Sequence, residues 1–194
     1  MKKEFSVAVF CSASMGKNPV YASAAGEIGG LIAKNGWRLV YGHGSTGLMG
    51  VVMGAVLGAG GDVYGVSERM VALFEKPSRR VRGETAPDVQ TRKRKFIDIS
   101  DAFVILPGGI GTLDELDDLM IENALISRSN AVPGRKGMKK HLPIIVVNTN
   151  GYYDLFIAHV KRMISEGFLA RSDLKLFSVV KTPKAAIDLI KKRC

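Results

Sequence analysis

The chain has few cysteines, few aromatic residues and no long apolar run, and each shortage removes a class of function. Its two cysteines, Cys11 in an apolar run and Cys194 at the C-terminus, make neither a disulfide framework nor a metal-ligand pattern. No stretch approaches the roughly 20 apolar residues that a membrane-spanning helix requires. Lys2 and Lys3 precede the apolar run Phe5–Cys11, but the run is short, alternates like a strand and lacks a small-residue cleavage site. A soluble, cytoplasmic protein without a membrane partner is therefore expected. The formal net charge of +10 admits nucleic acid as a partner, yet no aromatics interleave with the basic runs to stack bases, so no nucleic acid is expected. Arg79, Arg80 and Arg82, the runs 92–95 and 135–140, and Lys191 to Arg193 instead read as solvated surface or as contacts for small anions.

What the chain does have is clustered glycine and short buried runs. At 194 residues, without repeat, linker or low-complexity tract, it reads as one nucleotide-binding domain over 1–194. Apolar runs at Phe5–Cys11, Arg38–Tyr41, Val63–Val66, Ala102–Leu106 and Pro143–Asn148, with a weaker one at Phe177–Val180, read as strands. Between them, Pro19–Lys34, Leu48–Gly58, Gln90–Ile99, Thr112–Ser127, Tyr152–Glu166 and Pro183–Lys192 read as helices. This alternation predicts an α/β fold, a doubly wound parallel sheet with helices on both faces. The polar segment Ser127–His141 reads as a loop, either a surface excursion or a lid.

In such a sheet, ligands bind beyond the carboxyl ends of the strands. The first strand runs into Cys11-Ser12-Ala13-Ser14-Met15-Gly16, a small turn whose serines either cap a helix or meet a ligand. The second runs into Gly42-His43-Gly44-Ser45-Thr46-Gly47, a formal G-x-G-x-x-G with Glu68 about 20 residues on. That pattern fits a nicotinamide-dinucleotide oxidoreductase only weakly, because the fingerprint normally follows the first strand; close helix packing is the plainer reading.

The stronger motif is Pro107-Gly108-Gly109-Ile110-Gly111-Thr112-Leu113-Asp114-Glu115. Three glycines let backbone N–H groups converge just where a helix begins, and Thr112 adds a hydroxyl, so a phosphate meets unpaired donors and a positive dipole end. The Lys-Ser/Thr pair of a P-loop is missing. Glu115, expected in the first helical turn, is a carboxylate suited to acid, base or cation-stabilising work, whereas Asp117 and Asp118 read as dipole partners. Arg92 and Lys93 stand at a helix start, where cations are disfavoured, so something other than helix stability holds them there. A nucleoside monophosphate suits this set better than a dinucleotide.

These residues resemble the LOG family of cytokinin riboside 5′-monophosphate phosphoribohydrolases, once labelled "lysine decarboxylase-like". The resemblance runs from Val9-Phe10-Cys11 to Gly151-Tyr152-Tyr153 and rests on the PGGxGTxxE signature at Pro107–Glu115, the Gly42–Gly50 loop and the Arg92-Lys93 pair. It implies a Rossmann-like fold, a homodimer, no cofactor or metal, and hydrolysis of an N-glycosidic bond to free base and ribose 5-phosphate. Carried over by motif, Arg92 and Glu115 are the catalytic pair. Gly109, Ile110, Gly111 and Thr112 hold the phosphate, and Ser14, Gly44, Ser45, Lys93 and Gly108 complete the substrate contacts. Val89 and Gln90 replace the family's frequent Met-His, His43 replaces a glycine and Glu122 a tryptophan, all around the expected base pocket. A non-catalytic nucleotide carrier or sensor on the same fold is the alternative. A pyridoxal-dependent decarboxylase finds no suitably placed lysine here.

Overall fold

The computed structural model describes residues 4–74, 78–130 and 141–194. Among the described residues, seven parallel strands form one sheet: β1 (Ser6–Phe10), β2 (Arg38–Tyr41), β3 (Val63–Glu68), β4 (Arg82–Ala86), β5 (Ala102–Ile105), β6 (Ile144–Val147) and β7 (Ser178–Val180). Their spatial order is β4-β3-β2-β1-β5-β6-β7. The chain therefore winds outward from β1 to one edge, then returns beside β1 and winds to the other. β1, β5 and β6 are wholly buried and rich in Val, Ile and Phe, as strands covered on both faces must be.

The helices are α1 (Val20–Lys34), α2 (Gly47–Gly58), the single turn α3 (Val71–Phe74), α4 (Val89–Ile99), α5 (Ile110–Asn130), α6 (Asp154–Ser165) and α7 (Pro183–Arg193). α1, α2 and α7 pack on one face with Val7, Val9, Leu39 and Tyr41, while Phe96 of α4, Leu116 and Leu119 of α5 and Val160 of α6 cover the other with Phe10, Phe103 and Ile105. This is the expected doubly wound sheet. Among the described residues no helix is long and apolar enough to cross a membrane.

Two segments differ from the sequence reading. β4 was not legible as a strand, because Arg82-Gly-Glu-Thr-Ala86 has no apolar run; pairing with β3 makes it one at the sheet's edge. Residues 127–130 extend α5 rather than begin a loop, and 131–140, with the basic run at 135–140, lie outside the described residues. Leu116 and Leu119 of α5 are buried in the core, whereas Leu125 is exposed.

Candidate functional site

The strand order reverses between β1 and β5, so the loops leaving them diverge and open a crevice at the carboxyl end of the sheet. A cavity of about 280 Å³ occupies it, its walls including Ser12 and Ala13 beyond β1, Gly42 beyond β2 and Gly109, Gly111 and Thr112 at the start of α5. Arg92 of α4 and Glu115 of α5 form its charged side, with Met49 and Val71 opposite in character.

α5 begins at Ile110, two residues before the expected start, which puts Gly111 and Thr112 in its first turn and Glu115 in the second. The loop feeding it is braced from behind. Tyr152 donates its hydroxyl hydrogen to the Gly108 carbonyl at 2.5 Å, and Tyr153 donates to the Leu106 carbonyl at 2.7 Å. Burial holds the Tyr153 phenol well above its ordinary pKa, so it stays a donor. Thr112 is buried with its side chain beneath Gly108. These two tyrosines were not found from sequence; the only signal was an aromatic pair after Asn150-Gly151, two residues of positive φ.

Arg92 is fixed on several sides. Its Nε donates to the Val66 carbonyl at 3.0 Å, its Nη2 donates to the Gly42 carbonyl at 3.4 Å, and its guanidinium carbon lies 5.2 Å from the centroid of the Phe96 ring. Nη1 stands 3.6 Å from Oε1 of Glu115, and each side chain of this pair is only 11% exposed. Gly42 makes the placement possible: a Cβ there would come within 2.6 Å of Nη2 and 3.0 Å of the Met49 sulfur. The α4 N-terminus is built independently, with Asp88 accepting from the Thr91 N–H at 2.7 Å. The cations expected to conflict with the helix dipole are thus held by tertiary partners.

The other expected contacts separate. Gly109, Gly111 and Thr112 line the main cavity, and Ile110 projects into solvent at 83% exposure. Ser14 and Gly108 line a second cavity of about 220 Å³ across the glycine turn, walled by Tyr21 and Tyr152, and Ser12 and Gly109 border both. Gly44 and Ser45 line neither; Ser45 is exposed, with its carbonyl packed beneath Gly50 of α2. Lys93 also lies outside the main cavity, paired with Asp114 and Asp118.

The Gly42–Gly50 loop is a packing joint rather than a dinucleotide grip. Gly47 has φ +57°, and a Cβ there would run into the Ala13 backbone. Glu68 is turned away from ribose recognition, because its carboxylate accepts from the Met70 N–H at 2.9 Å and the Val71 N–H at 3.1 Å. Those bonds hold its pKa below the ordinary carboxylate value. Val89, Gln90, His43 and Glu122 do not line the cavity. Val89 and Gln90 are exposed at the start of α4, Glu122 pairs with Arg94 at 3.6 Å, and His43 is buried against Gly65 and Gly83.

A family model described as "Possible lysine decarboxylase" matches residues 49–190. A rice protein (Oryza sativa subsp. japonica), "Probable cytokinin riboside 5'-monophosphate phosphoribohydrolase LOGL5", is 36% identical over 190 residues, covering 95% of this chain and 69% of the relative. The Arabidopsis thaliana "Cytokinin riboside 5'-monophosphate phosphoribohydrolase LOG5" is 33% identical over 192 residues, covering 96% and 75%. Among solved structures, the molybdenum cofactor binding protein of Rippkaea orientalis superposes with a TM-score of 0.71 at 18% identity, covering 100% of this chain and 99% of that one. The molybdenum cofactor carrier protein of Chlamydomonas reinhardtii gives 0.67 at 21%, covering 97% of each. At such identities the structures share the fold alone.

Proposed function

The chain belongs to the LOG family of cytokinin riboside 5′-monophosphate phosphoribohydrolases, and from that membership we propose that it hydrolyses the N-glycosidic bond of a purine nucleoside 5′-monophosphate. The observation that carries the reading is the Arg92–Glu115 pair, 3.6 Å apart on the wall of a cavity whose other end is the glycine-lined start of α5.

The phosphate sits at the backbone N–H groups of Gly109 to Thr112, where the open first turn of α5 supplies donors and a positive dipole end. The ribose then lies beside Glu115. As the bond from C1′ to the base nitrogen lengthens, its electron pair leaves with the base and positive charge grows on the sugar, which the carboxylate stabilises. Water bonds to C1′ and gives up a proton toward Glu115. The guanidinium of Arg92 is too weak an acid to donate, so it stabilises the negative charge on the departing base, which takes its proton from solvent. The products are free base and ribose 5-phosphate, and no redox step occurs.

We place the enzyme in the cytoplasm as a homodimer, a second copy covering the exposed Ile121 and Leu125 of α5. A monomeric mass at micromolar concentration would overturn the dimer. The function is tested with AMP, GMP and N6-isopentenyl-AMP, following base release by chromatography. Release of base with stoichiometric ribose 5-phosphate is expected. Tight AMP binding without release would make the protein a carrier or sensor instead.

A further inference from the structure

The buried cation beside Arg92 has no place in that reaction, and its surroundings give it another task. Lys93 is buried between α4 and α5, with its side chain 7% exposed. Its Nζ donates to Oδ1 of Asp114 and to Oδ1 of Asp118, each at 3.1 Å. Those aspartates are one turn apart on α5, and Glu115 follows the first of them directly. Lys93 and Glu115 also share the walls of a small void of about 10 Å³ with Phe10, Phe96, Asp118 and Leu119.

Apolar contact between the helices, through Phe96, Leu116 and Leu119, is non-directional and tolerates small slides and rotations. A buried ammonium held by two carboxylates does not: Asp114 and Asp118 reach solvent, but a slide would strip the buried Lys93 of its partners. Burial by itself would lower the pKa of Lys93, but the hydrogen bonds and charge of Asp118 and Asp114 outweigh it and hold the group above its ordinary value. α4 and α5 are therefore fixed at adjacent points, by Lys93 on the protein side and by Arg92 with Glu115 on the cavity side.

We propose that Lys93 is a positioning residue: by gripping Asp114 and Asp118 it sets the register of α5 against α4 at which Glu115 faces Arg92. It touches no substrate and acts through Glu115. The inference rests on the hydrolase reading for its kinetic consequence, not for its geometric one.

The test compares wild type with Lys93→Met, which keeps length and loses charge, and Lys93→Arg. A misplacement of about 1 Å in catalytic groups costs on the order of 100-fold, so Lys93→Met should lose roughly 10- to 100-fold in kcat for AMP. KM, and the Kd of ribose 5-phosphate by calorimetry, should stay within about twofold, since uniform binding is untouched. Lys93→Arg should recover most of the rate. In a crystal structure of Lys93→Met the Arg92–Glu115 separation should open to roughly 5 Å or more, toward the limit of strong charge coupling. A KM raised tenfold with kcat kept would make Lys93 a substrate contact and overturn the proposal, as would an unmoved pair. Should Lys93→Met fail to fold, Asp118→Asn removes half the grip and should give a smaller kcat loss with the same constant KM. If the wild type releases no base, the hydrolase reading falls, and the crystallographic comparison still decides the role of Lys93.

Discussion

Two glycine-rich loops leave strands on either side of β1, and most of their glycines meet different surroundings. In the loop after β2, the missing side chains are already spoken for by the protein: Arg92 and Met49 fill the space beside Gly42, and the Ala13 backbone lies against Gly47. In the loop after β5, a Cβ on Gly109 or Gly111 would meet nothing within 4 Å. The first loop is closed by its own chain, while the second is open toward the cavity. Gly42 and Gly47 make room for the protein's own atoms, as Gly108 does for Thr112 in the second loop, whereas Gly109 and Gly111 leave their space open.

The largest expected effect falls where the two loops converge. Glu115→Gln keeps size and hydrogen bonding but removes the charge that favours a cationic transition state. A loss of about 3–4 kcal/mol lowers turnover of AMP by about 10²–10³-fold. Arg92→Ala should be comparably damaging, and circular dichroism should report an intact fold for both. Near-normal turnover in Glu115→Gln would put the chemistry on another residue.

Gly42→Ala breaks the closed loop. Its methyl group pushes on the guanidinium of Arg92, so kcat should fall by about 10²-fold, and the melting temperature should fall with it because Met49 is displaced too. If Gly42→Ala were active and stable, the space beside Gly42 would not be holding Arg92.

Gly111→Ala probes the open loop and should separate the two properties. Alanine is a better helix residue by up to about 1 kcal/mol, so thermal stability should hold or rise. AMP affinity should drop by roughly tenfold, about 1.4 kcal/mol, as the methyl group enters the phosphate's space. Calorimetric titration with unchanged affinity would mean that the phosphate lies elsewhere.

The smallest effect concerns His43, which stands in the closed loop at φ +67°. Burial lowers its pKa below the ordinary value near 6.5. As pH falls through that value the unfolded chain takes up a proton before the folded one, so this contribution is intact above about pH 6.5 and is lost progressively below it. His43→Asn, which accepts positive φ, should flatten the fall in melting temperature between about pH 7 and 5. An unchanged slope would assign that pH dependence to other groups.

The alternation of apolar runs and the glycine signature determined the parallel sheet, six of its strands and the end of the sheet where a ligand belongs, because those depend on local periodicity and on backbone freedom. Sequence also drew Arg92, Glu115, Gly109, Gly111 and Thr112 into one candidate site, and the fold lines one cavity with all five. What it did not carry was anything set by partners distant along the chain. β4 is a strand only because β3 offers it a ladder, and the tyrosine braces reach Leu106 and Gly108 from 47 and 44 residues away. Lys93 looked like a twin of Arg92 in sequence. Adjacent helix positions point about 100° apart, so one cation faces the cavity and its neighbour meets two carboxylates, and only the packing of α4 on α5 decides which.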